Sequence, residues 1–131
     1  MGVEAHYKSA NEEILVAVRI EDIEAVANID DILAVEGIDA AFIGPYDITA
    51  SMGITGDFEH PDFIAARNEI LASCQRNGVT PGINVVQPDA KQVIDRISDG
   101  FHLLAYCLDI TMVLTTCIDG LNEIRTALPK K

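Results

Sequence analysis

Positive charge is scarce in this sequence. Nine Lys and Arg stand against 21 Asp and Glu, a formal net charge of −12, so the mean field repels phosphate backbones and anionic lipid headgroups. Nucleic acid and membrane surfaces are not expected partners. The same field repels small organic acids, and a site for one would need a local cation or a metal ion. There is no run of about 18 apolar residues to span a bilayer, and the N-terminus has neither a basic stretch nor an apolar secretory segment. Paired cysteines are also missing. Cys74, Cys107 and Cys117 are odd in number, far apart and set in apolar surroundings, which predicts reduced thiols in a cytoplasmic protein. With no low-complexity linker and no fixed-period repeat, the 131 residues suit one domain, residues 1–131.

What is present is a recurring strand-then-helix order. Ile14 to Ile20 (ILVAVRI) predicts a strand, and the acidic turn Glu21-Asp22-Ile23-Glu24 suits a helix N-terminus. That helix is expected to place Ile23, Val26, Ala27, Ile29 and Leu33 near one face, with Gly37 as its left-handed cap. Ile38 to Ile43 predicts a second strand, broken by Gly44-Pro45 and followed by a loop rich in Gly, Ser and Thr. A helix from Pro61 to Asn77 carries Ile64, Ile70, Leu71 and Cys74, and Gly78 stops it. Gly82 to Val86 is the third strand. Pro88 to Ser98 is the next helix, with Val93, Ile94 and Ile97 on one face and Gly100 as the stop. Phe101 to Leu108 is the fourth strand. A last helix, Thr111 to Ala127, spaces Leu114, Ile118, Leu121 and Ile124 or Arg125 helically, then ends at Pro129 with Lys130 and Lys131 near the negative end of its dipole.

Four such units, with strands apolar on both faces, predict an α/β protein with a parallel sheet. An open doubly wound sheet and part of an eight-stranded barrel, which takes about 250 residues when whole, both fit the order. In either architecture the active face lies at the C-terminal ends of the strands. The residues there are Arg19-Ile20-Glu21, Gly44-Pro45-Tyr46-Asp47, Asn84-Val85-Val86-Gln87 and Tyr106-Cys107-Leu108-Asp109. Carboxylates at adjacent strand tips suit a hard divalent cation, since Mg²⁺ takes one or two and leaves positions for water and substrate oxygens. Glu21 and Asp47 fit. Their structural readings are a helix-capping acid and a turn residue after proline.

The string FIGPYDITASMG (Phe42–Gly53), with Glu21 of VRIE 26 positions before Asp47, resembles the metal-site half of the HpcH/HpaI aldolases, a family of phosphoenolpyruvate-binding barrels. ANEEI before the first strand, DIEAVANIDDILAVEGIDA, GITGDFEHPDF and GFHLLAYCLDI resemble the same half, so the likeness covers nearly the whole chain. It implies a parallel (βα)₄ half of a TIM-type (βα)₈ barrel. It also implies a class II aldolase that cleaves 4-hydroxy-2-oxo acids to pyruvate and an aldehyde. Mg²⁺, Mn²⁺ or Co²⁺ would chelate the 2-oxo acid and stabilise the enolate. By resemblance, Glu21 and Asp47 ligate the metal, the amides around Tyr46 and Asp47 hold the pyruvate carboxylate, and Gly44 gives clearance.

Three departures shape the remaining expectations. The family's general-base histidine and a substrate-binding arginine belong to the barrel's other half, and His6, His60 and His102 match no such motif. Arg19 stands where the family usually has glutamine. On a strand it faces the side Glu21 faces, so it either holds the substrate carboxylate as a catalytic group or pairs with Glu21 and Asp47 in place of the metal. The Tyr106-Cys107-Leu108 tip is bulky where the family's is small and glycine-containing. Open sheet edges predict a homo-oligomer or a complementary N-terminal half-barrel as partner. The alternatives are a non-catalytic remnant of the barrel and a lyase or mutase on another 2-oxo acid.

Overall fold

The computed structural model describes residue 7, residues 9–10 and residues 12–128. His6 and the closing Pro129, Lys130 and Lys131 lie outside the described residues, so the expectations placed on them do too. Four strands form one parallel sheet in sequence order: β1 (Ala17–Ile20), β2 (Ala40–Ile43), β3 (Thr80–Val85) and β4 (Leu103–Tyr106). Between and after them run α1 (Ile23–Ala27), α2 (Ile29–Leu33), α3 (Pro45–Ser51), α4 (Pro61–Asn77), α5 (Ala90–Ser98) and α6 (Asp109–Ala127). Among the described residues, no helix is long and apolar enough to cross a membrane.

Register sorts the side chains into two faces. Ile20, Ile43, Ile83 and Leu104 share one level, and Arg19, Phe42 and Gly82 another, because paired residues in a parallel ladder point the same way. The first face carries the core: Ile20, Ala41, Ile43 and Ile83 pack with Val26, Ile29 and Leu33 of α1 and α2 and with Phe63, Ala66, Ile70 and Cys74 of α4. Burial there pushes the Cys74 thiol up to about 11, so it stays protonated and inert near neutrality. The second face holds the polar strand-end residues discussed below.

Several expectations shift. The first helix is two short ones. Asn28 is the C-cap of the first and the N-cap of the second, its backbone leaves the helical region at φ −108°, ψ 17°, and its Nδ2 donates to the Glu24 carbonyl at 2.7 Å, a local side-chain bond typical of helix ends. Gly37 is left-handed as expected (φ 92°), three residues beyond the Ala34 cap, while Ala27 is exposed rather than inward. The segment after Gly44, expected as a loop, opens with α3. Pro45 sits at its first position, and Thr49 and Ser51 hydroxyls donate to the Pro45 and Ile48 carbonyls, each at 2.8 Å. β1, β2 and β4 are shorter than expected, since Ile14 to Val16, Ile38 to Asp39 and Phe101 to His102 lie outside the ladder, whereas β3 begins two residues earlier than expected, at Thr80. The inward faces expected of α5 and α6 bury nothing: neither helix has a buried residue, and Ile94, Ile97, Leu114, Ile118, Leu121 and Ile124 are all exposed.

Candidate active site at the C-terminal strand ends

Glu21 and Gly44 each follow a strand by one residue, and the Gly44 N–H donates to the Ile20 carbonyl at 3.0 Å, continuing the ladder. Glu21, Gly44 and Asn84 therefore occupy one level of the second face, two residues beyond Arg19, Phe42 and Gly82. Asp47 reaches the same place from the first turn of α3. The Asp47 carboxylate and the Glu21 side-chain stem crowd the bare Cα of Gly44. A Cβ there would lie 2.6 Å from Asp47 Oδ2 and 3.2 Å from Glu21 Cγ, so a larger residue would displace the Asp47 carboxylate from its present place; the constraint is close approach rather than backbone twist. The helix carrying Asp47 is anchored at its other end: Thr49 Oγ1 accepts from the Gly56 N–H at 3.0 Å, and Ser51 Oγ accepts from the Ile23 N–H at 3.0 Å, tying α3 to the start of α1.

Arg19 stands between the two acids. Its guanidinium pairs with Glu21 Oε1 and lies 3.7 Å from Asp47 Oδ2, with all three side chains substantially open to solvent. Glu21, Asp47 and Arg19 are thus brought together as expected. Among the described residues no group of three or more His, Cys, Asp or Glu forms a metal cage. The donor set still suits a hard cation that keeps water and ligand oxygens in its shell: two carboxylates, a glycine beneath them and open solvent above. Arg19 is the competitor for that position.

Tyr46 is half exposed, and its ring meets Phe58 edge-on with centroids 4.8 Å apart. The pair walls a cleft of about 370 Å³ lined also by Phe63, Arg67, Asn84 and Gln87. A larger hollow of about 450 Å³ is lined by α1, α2, Asn28 and Glu69, with no strand residue, and is unrelated to this site. His60 caps α4, its Nδ1 accepting from the Asp62 N–H at 3.2 Å. His102, expected within a strand, precedes β4 and so sits at the opposite end of the sheet from the site.

Two features were not legible in the sequence. Asn84 Oδ1 is buried without a hydrogen-bond partner, and only the register, two residues past Gly82, sets it level with Gly44. Cys107 adopts a left-handed backbone with φ 64° while its N–H donates to the Val85 carbonyl at 2.7 Å. That conformation favours glycine, so the bulky tip keeps a glycine-like turn.

A family model, HpcH/HpaI aldolase/citrate lyase, matches residues 2–116. The chain belongs to the HpcH/HpaI family. It is 41% identical over 109 residues to the 4-hydroxy-2-oxo-heptane-1,7-dioate aldolase of Escherichia coli, covering 82% of this chain and 40% of that protein. To the hydroxypyruvate/pyruvate aldolase of Paraburkholderia phytofirmans it is 32% identical over 122 residues, covering 92% and 46%. The crystal structure of an HpcH/HpaI aldolase from Desulfitobacterium hafniense superposes with a TM-score of 0.86 at 30% identity, over 98% of this chain and 49% of that one. The chain thus spans about half the length of the relatives it matches, and its fold is a parallel (βα)₄ half of their TIM-type barrel.

Proposed function

We propose that this chain supplies the metal-binding half of a class II pyruvate aldolase that cleaves 4-hydroxy-2-oxo acids to pyruvate and an aldehyde. The observation that carries this reading is the meeting of Glu21 and Asp47 over Gly44, at the C-terminal ends of neighbouring parallel strands. Those carboxylates would hold Mg²⁺, Mn²⁺ or Co²⁺, which when bound supplies Lewis-acid stabilisation of the negative charge developing on the oxo oxygen. The chain's own groups bind and orient the acid. Gly44 leaves room beside the carboxylates, and the N–H groups of Tyr46 and Asp47, in the first turn of α3 where no intrahelical acceptor exists, donate to the substrate carboxylate. The names of the Escherichia coli and Paraburkholderia relatives support this substrate class.

Enolising pyruvate also requires a base within hydrogen-bond reach of its methyl protons. Neither His60 nor His102 meets this need, given their places at the α4 cap and the far end of the sheet. The base then comes from a second copy closing a pseudo-barrel or from a complementary N-terminal half-barrel. The open edges of β1 and β4 and the uncovered α6 face offer such a half a place to pair. Free thiols at Cys74, Cys107 and Cys117 suit a cytoplasmic setting.

The Arg19 contacts favour a second reading, a non-catalytic interaction domain in which the guanidinium permanently takes the cation's place. Exchange of pyruvate methyl protons into D₂O, followed by NMR, separates the two. The aldolase reading expects Mn²⁺ to raise the melting temperature and Asp47→Ala to abolish that shift. It expects weak exchange from the chain alone, rising about 10²–10⁴-fold when an N-terminal half-barrel supplies the base. Metal binding without exchange on pyruvate would point to a lyase on another 2-oxo acid. No melting shift and no exchange in any combination, with the fold intact, would leave the non-catalytic domain.

A further inference from the structure

This inference rests on the metal reading above and deepens it. Arg19 and Glu21 leave the same face of β1, two residues apart. One guanidinium contacts Glu21 and approaches Asp47 to 3.7 Å, and among the described residues these are its ion-pair partners. The Arg19 side chain is 61% exposed. It is therefore free to turn into solvent without disturbing the core, and exposed pairs of this kind are weak. In this state the cluster carries one uncompensated negative charge, within a chain whose net charge is −12. A carboxylate ligand is repelled. Adding a divalent cation leaves one positive charge in excess, and it releases a guanidinium whose planar fork matches any carboxylate.

We propose that Arg19 is a displaceable internal counter-ion. It holds Glu21 and Asp47 together in the metal-free protein, yields them to the divalent cation, then turns to the carboxylate of the incoming 2-oxo acid. Binding is consequently ordered, metal before acid. The same residue tunes metal affinity downward and acid affinity upward, which reconciles the two roles open to it.

The test is Mn²⁺ titration of the full chain followed by the electron paramagnetic resonance of free Mn²⁺, with pyruvate binding measured separately by calorimetry on the metal-free and metal-loaded protein. Arg19→Gln should bind Mn²⁺ about fivefold to tenfold tighter, since it removes exposed ion pairs. Its metal-loaded form should bind pyruvate about tenfold more weakly than the wild type. Arg19→Lys, which keeps the charge but loses the fork, should keep the wild-type Mn²⁺ affinity and recover part of the pyruvate affinity. Metal-free wild type should bind no pyruvate. Equal Mn²⁺ affinity in wild type and Arg19→Gln, or undiminished pyruvate binding by loaded Arg19→Gln, would overturn the inference. Absence of Mn²⁺ binding in wild type and variants alike, with unchanged circular dichroism, would instead overturn the metal reading itself.

Discussion

The two sides of the sheet's midline are built from similar sequence patterns but differ in what covers them. On one side, β1 to β3 press Ile20, Ala41, Ile43 and Ile83 against α1, α2 and α4, all of which contribute buried residues. On the other, β4 ends in exposed Tyr106, Leu108 just beyond it is also exposed, and neither α5 nor α6 has a buried residue. The α6 stripe of Leu114, Ile118, Leu121 and Ile124 has the helical spacing that a core-facing helix has. Spacing specifies that a helix has an apolar face; it does not specify which surface that face meets. The metal-site candidates lie on the well-covered side, where α3, which holds Asp47, is anchored by Thr49 and Ser51. An uncovered apolar face lies on the other.

The largest effect expected from this contrast is on stability. Ile70 is fully buried between α4 and the sheet, so Ile70→Ala should cost about 2–5 kcal/mol through lost burial and the cavity left behind. Leu121 is half exposed on α6, and in dilute solution Leu121→Ala should change stability by no more than about 0.5 kcal/mol. Urea unfolding of both variants at two protein concentrations checks this. A Leu121→Ala cost that grows with concentration would show that copies cover the α6 face. Comparable costs for the two variants at high dilution would break the contrast altogether.

A smaller effect is expected at the tip of β4. Cys107 pays the left-handed penalty at φ 64°, which for a residue with a Cβ is about 1–2 kcal/mol, whereas glycine is strain-free there but gains unfolded-state entropy. Cys107→Gly should therefore stabilise the chain by about 0.5–1 kcal/mol, read as a higher urea midpoint at unchanged slope. Among the described residues its thiol donates to the Leu108 carbonyl next door, so little side-chain interaction is lost. A destabilised variant would show that the Cys107 side chain packs against something that covers β4 in solution.

These contrasts also show what the sequence could and could not convey. Element order and the α/β class follow from local signals: β-branched runs, the acidic turn at Glu21 to Glu24, and glycines at 37, 78 and 100, which have positive φ; that Asp22 and Asp89 are the N-caps emerges only from the structure. The α3 helix was hidden because Thr and Ser read as loop residues until their hydroxyls are seen bonded to carbonyls within the turn. Glu21 and Asp47 were legible as acids at strand ends, and Arg19 as sharing their face. The carboxylates' closeness to Gly44 and the level of Asn84 depend on register between strands, which no single segment encodes.

The smallest effect concerns the polar tie between α2 and α4. Asp30 accepts from Arg76, from Ser73 Oγ at 2.5 Å and from Asn77 Nδ2 at 3.1 Å, while Arg76 also pairs with Glu69 at 2.7 Å. Bonding to Arg76 foremost, then to Ser73, holds the Asp30 carboxyl below its ordinary value of 3.8, against a smaller opposing effect of burial. A folded-state pKa depressed below the unfolded value means that the folded protein binds fewer protons in that window. The contribution of Asp30 is thus fully present above about pH 4 and is lost as pH falls through the depressed value. Both partners are about half exposed, so solvent and salt screen the tie and its effect is modest. Asp30→Asn should lower the melting temperature slightly at pH 6 and leave it closer to wild type at pH 2, with the gap at pH 6 narrowing in high salt. A gap that stayed constant from pH 6 to pH 2 would mean that Asp30 acts through packing and neutral hydrogen bonds to Ser73 and Asn77, and that the charge on Arg76 contributes nothing to joining the two helices.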